Sequence, residues 1–213
     1  MSRISILGGT GYTGAAVVAE AARRGHDVTA VSRSAPADPI PGVTYLQGSV
    51  LDDEIQAQAF DQADAVVSAT SPRGDMAGTL PDLHRSLLSR AADAGVRLAV
   101  VGGFSSLRPA PGEPRFSEGE IKEEFRVEAL EGAEVLEVMF AAPEGADWVF
   151  FSPAGKFGSF APFPKRGTYR LGGDVALFDD EGVSALGAED FALAILDVIE
   201  SSEHSRAHVS VAY

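Results

Sequence analysis

Three observations predict an α/β architecture, a doubly wound and mainly parallel sheet flanked by helices. Short apolar runs recur along the chain, helix-like segments separate them, and glycines cluster where the first run gives way to the first helix. Strands that are apolar on both faces, with helices between them, require a sheet covered on both sides.

The elements follow in order. Residues 4–7 form a short strand ending in glycines. Residues 12–24 read as an Ala- and Val-rich helix with Arg23 and Arg24 in its last turn and Gly25 as its cap. Asp27–Ser32 is strand-like, and after a turn-rich stretch holding Pro36, Pro39 and Pro41 a further strand is expected at 43–47. Asp53–Phe60 reads as a short helix capped by Asp52 or Asp53, and residues 65–69 as a buried strand. Leu80–Ala94 is a helix closed by Gly95, followed by another buried strand at 98–101. Three prolines make 108–114 a loop. Residues 117–140 have a helical composition, with a break expected near Gly132. A strand at 148–151 precedes an irregular stretch, 155–173, that carries Phe157, Phe160 and Phe163. A helix at 188–200 and a strand at Ala207–Ala212 close the chain. No repeat or composition shift divides it, so residues 1–213 are expected to form a single domain with a small C-terminal elaboration.

Charge narrows the choice of partner. The formal net charge of -14 repels phosphate backbones and anionic lipid, so neither nucleic acid nor a membrane surface is an expected partner. An anionic ligand must instead find a local positive field. The absence of cysteine excludes disulfides, thiolate metal sites and cysteine nucleophiles. The first apolar run meets glycine too early for a signal peptide, and no run approaches the roughly 18 residues of a membrane span. A cytoplasmic location is the resulting expectation.

The segment Gly8-Gly9-Thr10-Gly11-Tyr12-Thr13-Gly14 fits Gly-x-Gly-x-x-Gly from Gly9 and Gly-x-x-Gly-x-x-Gly from Gly8. It lies between a strand and a helix, the context this Rossmann-type dinucleotide motif requires. The first glycine allows the tight turn. Gly11 lets backbone amides approach a pyrophosphate, and Gly14 lets the helix pack closely. The anion then sits at the helix N-terminus. No Lys-Ser or Lys-Thr pair follows, so a nucleoside-triphosphate loop is not supported.

The end of the second strand selects the cofactor. Sites for NAD usually place a carboxylate there for the ribose 2′-OH, and sites for NADP a cation for the 2′-phosphate. Here the residues are Ser32-Arg33-Ser34. Arg33 can meet a phosphate bidentately and the serines can add hydroxyl donors, so NADP(H) is the expected cofactor.

At this point the chain resembles the atypical short-chain dehydrogenase/reductases with an NAD(P)H-binding domain, the group that includes the flavin reductase also called biliverdin reductase B. The resemblance covers nearly the whole length. It rests on residues 8–14, Arg33, Gly48-Ser49-Val50 with Asp52, the strand to Ala69-Thr70, Val101-Gly102-Gly103, and Trp148 through Phe151-Ser152-Pro153-Ala154. Tyr169-Arg170-Leu171-Gly172-Gly173 and Glu189-Asp190-Phe191-Ala192 add to it. The resemblance implies that Ser49 and Val50 flank the adenine and that Ala69 and Thr70 line the middle of the cofactor. It also implies that Ser105 stands beside the nicotinamide as a candidate catalytic hydroxyl, and that Ser152, Pro153 and Ala154 cover the nicotinamide end.

One departure matters. Tyrosine-dependent members of the wider superfamily use a Tyr-x-x-x-Lys pair to protonate a carbonyl. None of Tyr12, Tyr45, Tyr169 and Tyr213 precedes a lysine by four. Loss of a placed acid typically costs roughly 100- to 10,000-fold in rate. Hydride transfer to a small conjugated acceptor such as a flavin or quinone avoids that need, because charge delocalises over the ring. The phenylalanines at 157, 160 and 163 could line such a pocket or pack on the core. A non-catalytic NADP(H) sensor is the alternative. Two others are weaker. Gly103-Phe104-Ser105-Ser106-Leu107 half-resembles a nucleophile elbow but lacks its last glycine. His204-x-x-x-His208 straddles a helix end and a strand, so no metal is expected.

Overall fold

The computed structural model describes residues 1–201 and 203–213. Its elements run β1 (Arg3–Leu7), α1 (Tyr12–Arg23), β2 (Asp27–Ser32), β3 (Thr44–Gln47), α2 (Asp53–Phe60), β4 (Ala65–Ser68) and α3 (Leu80–Ala94). Then follow β5 (Arg97–Val101), α4 (Glu123–Phe140), β6 (Trp148–Pro153), β7 (Arg170–Gly172), α5 (Ala188–Ser201) and β8 (Ala207–Ala212). The described strands join one sheet in the order β3-β2-β1-β4-β5-β6-β8-β7. Every pair is parallel except β7 with β8. The chain winds outward one way from β1 and the other way from β4. Strand order therefore reverses between them, the place where open α/β sheets form a ligand crevice.

Alternation along each strand fills two cores. Ile4, Ile6, Val67, Ala99 and Phe151 pack with residues of α1 and α5 on one face. Leu7, Val66, Leu98, Val100 and Phe150 pack with residues of α2, α3 and α4 on the other. No helix among the described residues is long and apolar enough to cross a membrane.

Two stretches differ from the sequence reading. Helix α4 starts at Glu123 rather than Ser117 and runs unbroken through Gly132. Ser117 instead lies in a 3-10 turn, Phe116–Glu118, where the Glu118 carboxylate accepts the Arg115 N–H at 3.0 Å. A single glycine costs a helix interior only about 1 kcal/mol, which packing over 18 residues outweighs. The stretch expected to be irregular contains β7, three residues whose pairing with β8 supplies an order that no local alternation announces.

Helix ends are satisfied from a distance. Thr79, at the start of α3, makes no side-chain cap. Glu131, buried on α4, accepts the N–H groups of Gly78 at 2.8 Å and Leu80 at 2.9 Å in its place. At the other end of the sheet Arg97 donates to the Val198 and Ile199 carbonyls that finish α5.

Two histidines are buried uncharged. Burial pushes the His84 imidazole down to about 4, and burial, with the nearby Arg115 guanidinium, does the same for His208. Both groups take up protons near 6.5 in the unfolded chain, so the unfolded state gains stability as pH falls below that value.

Replacing Glu131 by Ala is expected to remove about 1.5–3 kcal/mol of stability in urea denaturation at pH 7, as hydrogen bonds to a charged group do. Stability should hold above pH 6.5 and decline from there towards pH 4, at roughly 1.4 kcal/mol per pH unit for each histidine. A His84→Gln variant, less stable at pH 7, should show a shallower decline over that window. Equal slopes would mean that His84 is not the titrating group.

Candidate cofactor site

Every candidate segment leaves the carboxyl end of a parallel strand. Residues 8–14 follow β1, Arg33 follows β2, Ser49 and Val50 follow β3, and Ala69 and Thr70 follow β4. Ser105 follows β5, and Ser152 to Ala154 end β6. One edge of the sheet therefore gathers them all, around the reversal point.

The glycine turn is made by backbone contact. Gly8 has φ +80°, and its N–H and that of Gly9 both donate to the Val31 carbonyl, at 2.9 and 3.0 Å. A Cβ on Gly14 would lie 2.1 Å from the Gly8 oxygen, and one on Gly8 would lie 2.6 Å from the Ala69 oxygen. So Gly14 seats α1 on the turn itself, and Gly8 lets β4 approach. Gly11 is the N-cap of α1 and has no side chain with which to cap it. The N–H groups of Tyr12, Thr13 and Gly14 are left without intrahelical partners, and no acidic residue lies in the first turn. These bare amides and the helix dipole fit the pyrophosphate of a dinucleotide. Exposed Thr10 lies at the tip of the turn.

Beyond β2, Arg33 is solvent-exposed and pairs with Asp75, which lies in a 3-10 turn, Gly74–Met76, after β4. Ser32 is buried and donates its hydroxyl proton to the Ser34 carbonyl at 2.7 Å. Only Ser34 keeps an exposed hydroxyl there. Ser49 Oγ accepts the Leu51 N–H at 3.2 Å. The Val50 side chain is buried and its carbonyl accepts from Gln56 at 2.8 Å.

Thr70 heads a chain of hydrogen bonds whose direction follows from its far end. The Leu80 carbonyl, 2.7 Å from His84 Nδ1, can only accept, so Nδ1 carries the proton. In the neutral ring Nε2 is then bare and accepts from Ser68 Oγ at 3.1 Å. Ser68 has used its proton, so Thr70 Oγ1, 3.1 Å away, donates to Ser68. Any further partner of Thr70 must be a donor.

On the far side of the crevice, Ser105 is half-buried in the 3-10 turn Phe104–Ser106. Ser152, Pro153 and Ala154 are all buried, and Ser152 Oγ lies 2.9 Å from His208 Nε2 on β8. What this triplet can offer a ligand without moving is main chain. The three phenylalanines diverge: Phe157 packs edge-on against Tyr12 at 5.5 Å and Phe191 at 5.0 Å, Phe163 is half-buried, and Phe160 projects into solvent. Tyr45, Tyr169 and Tyr213 are engaged with the Ile40 N–H, Asp197 and Asp190 respectively. Among the described residues no cluster of three or more His, Asp or Glu side chains could hold a metal ion.

The sequence reading missed Ser68, His84 and Asp75. His84 had a signal, since it occupies the stripe that Leu80, Leu83, Leu87, Leu88 and Ala91 make on α3. A polar residue on such a stripe needs a buried partner. Asp75 had none, because its pairing depends on two strands being brought to either side of β1.

The model of the family described as NAD(P)H-binding matches residues 8–201. The uncharacterized protein YwnB of Bacillus subtilis (strain 168) is 32% identical over 213 residues, covering 98% of this chain and 97% of its own. A Bacteroides thetaiotaomicron structure named a "putative epimerase" superposes with a TM-score of 0.87 at 31% identity, over 100% of this chain and 97% of its own. One from Streptococcus pneumoniae TIGR4, named a "putative NADH-flavin reductase", gives 0.85 at 27%, over 100% and 99%. With the glycine turn and the reversal point in place, the chain belongs to the NAD(P)H-binding family, in its atypical short-chain dehydrogenase/reductase-like group.

Proposed function

We propose that the protein is an NADPH-dependent reductase that passes hydride to a small conjugated acceptor, a flavin, quinone or similar ring. The observation that carries this reading is the bare N-terminus of α1 beside an arginine at the end of β2, on an edge where the other strand ends also converge. The amides of Tyr12, Thr13 and Gly14 take the pyrophosphate. Arg33, with Ser34, takes the 2′-phosphate, because a guanidinium matches phosphate oxygens bidentately.

The bound nicotinamide supplies the hydride. The protein's own residues position it. Thr70 accepts a hydrogen bond from a ribose hydroxyl or the carboxamide, since its own proton is committed to Ser68. The backbone of residues 152–154 would close the nicotinamide end, and Ser105, in the turn after β5, would offer its hydroxyl to the acceptor. The acceptor takes up one hydride and then one proton, from Ser105 or from water. No tyrosine–lysine pair is used, and a delocalised acceptor does not need one. The name carried by the Streptococcus pneumoniae relative supports a flavin-type acceptor.

Purified protein with NADPH and FMN, a quinone or an azo dye should lose absorbance at 340 nm at a rate proportional to enzyme. Tight NADPH binding without turnover on that panel would replace the reductase with a sensor. A Thr70→Val variant should retain its fold and bind NADPH about fivefold more weakly, the loss of one neutral hydrogen bond. Unchanged affinity would remove Thr70 from the site.

A further inference from the structure

We infer that Asp75 is a specificity-determining residue that sets the balance between NADPH and NADH. The inference rests on the proposed role of Arg33 and adds a second residue to it.

Strand order places β2 and β4 on either side of β1. The residues following those strands therefore meet across the glycine turn, and Arg33 and Asp75 do so as an ion pair. Their side chains are 61% and 60% exposed. Pairs this open add little stability and exchange readily.

Asp75 itself is not free to withdraw. Met76, its neighbour, is buried in the core formed with α3 and α4. Its carbonyl accepts the Thr79 hydroxyl at 2.8 Å, and the Gly78 and Leu80 amides are held by Glu131. The backbone that carries Asp75 is thus held near the guanidinium, although it comes from the wrong loop to be seen in a motif.

The two charges act oppositely on the two cofactors. A 2′-phosphate must take Arg33 from Asp75 and then stay close to a like charge. A ribose 2′-OH meets no such repulsion and can donate to the carboxylate, as it does to the acidic residue at the end of β2 in sites for NAD. The crevice therefore carries the recognition group of each cofactor class. Asp75 weakens NADPH and favours NADH, so both are usable.

Isothermal titration of the full chain with NADPH and with NADH tests this, using wild type, Asp75→Asn, Arg33→Ala and the double variant. Asp75→Asn should bind NADPH about fivefold more tightly and NADH no more tightly, a change in ratio that general loosening of the loop would not give. In the Arg33→Ala background the gain for NADPH should shrink. Thermal melts matching wild type would show that the exposed substitution leaves the fold intact. If Arg33→Ala weakens NADPH but Asp75→Asn leaves both affinities unchanged, the role of Asp75 is overturned while that of Arg33 stands. If Arg33→Ala leaves the preference unchanged, the Arg33 reading fails and takes this inference with it.

Discussion

The structure depends on one contact between pieces of bare backbone. Gly14 brings the first turn of α1 against the Gly8 carbonyl so closely that a methyl group would sit 2.1 Å from the oxygen. That contact orients the helix so that its unpartnered amides open onto the sheet edge. An overall charge of -14 makes the arrangement consequential, because a dinucleotide must approach a negative surface and find a local exception to it. The helix end supplies that exception from peptide dipoles, which no neighbouring carboxylate can neutralise by pairing.

Around this contact the other strand ends act as supports. The buried Ser68–His84 relay fixes what Thr70 can do, turning a hydroxyl with two roles into an acceptor. Glu131 fixes the segment between β4 and α3 by serving as its missing cap. Both devices join the crevice to the core on the α3 and α4 side.

Much of this was legible in the sequence, and for local reasons. Strand apolarity, helix spacing and the glycine turn are written within short windows, so β1, α1, β2, α2, α3 and α5 fall within a residue or so of expectation. The edge strand β7 was not, because three residues cannot show a period and β8 supplies the order. The start of α4 was obscured by helix-compatible residues at 117–122 that the structure uses as a turn and an extended approach. Within the site, motif and resemblance name positions but not orientations. Ser152 matches by position while its hydroxyl turns inward to His208, and Ser32 donates to its own loop. Phe160 shows the same limit, since its apolar character did not bring it into the core.

The most direct test is the amide nitrogen–proton NMR spectrum of the protein titrated with NADPH. The largest shifts, downfield as expected for new hydrogen bonds to phosphate oxygens, should fall on Tyr12, Thr13 and Gly14, with Arg33 and its neighbours following. A cofactor that saturates while those three amides stay in place would contradict it.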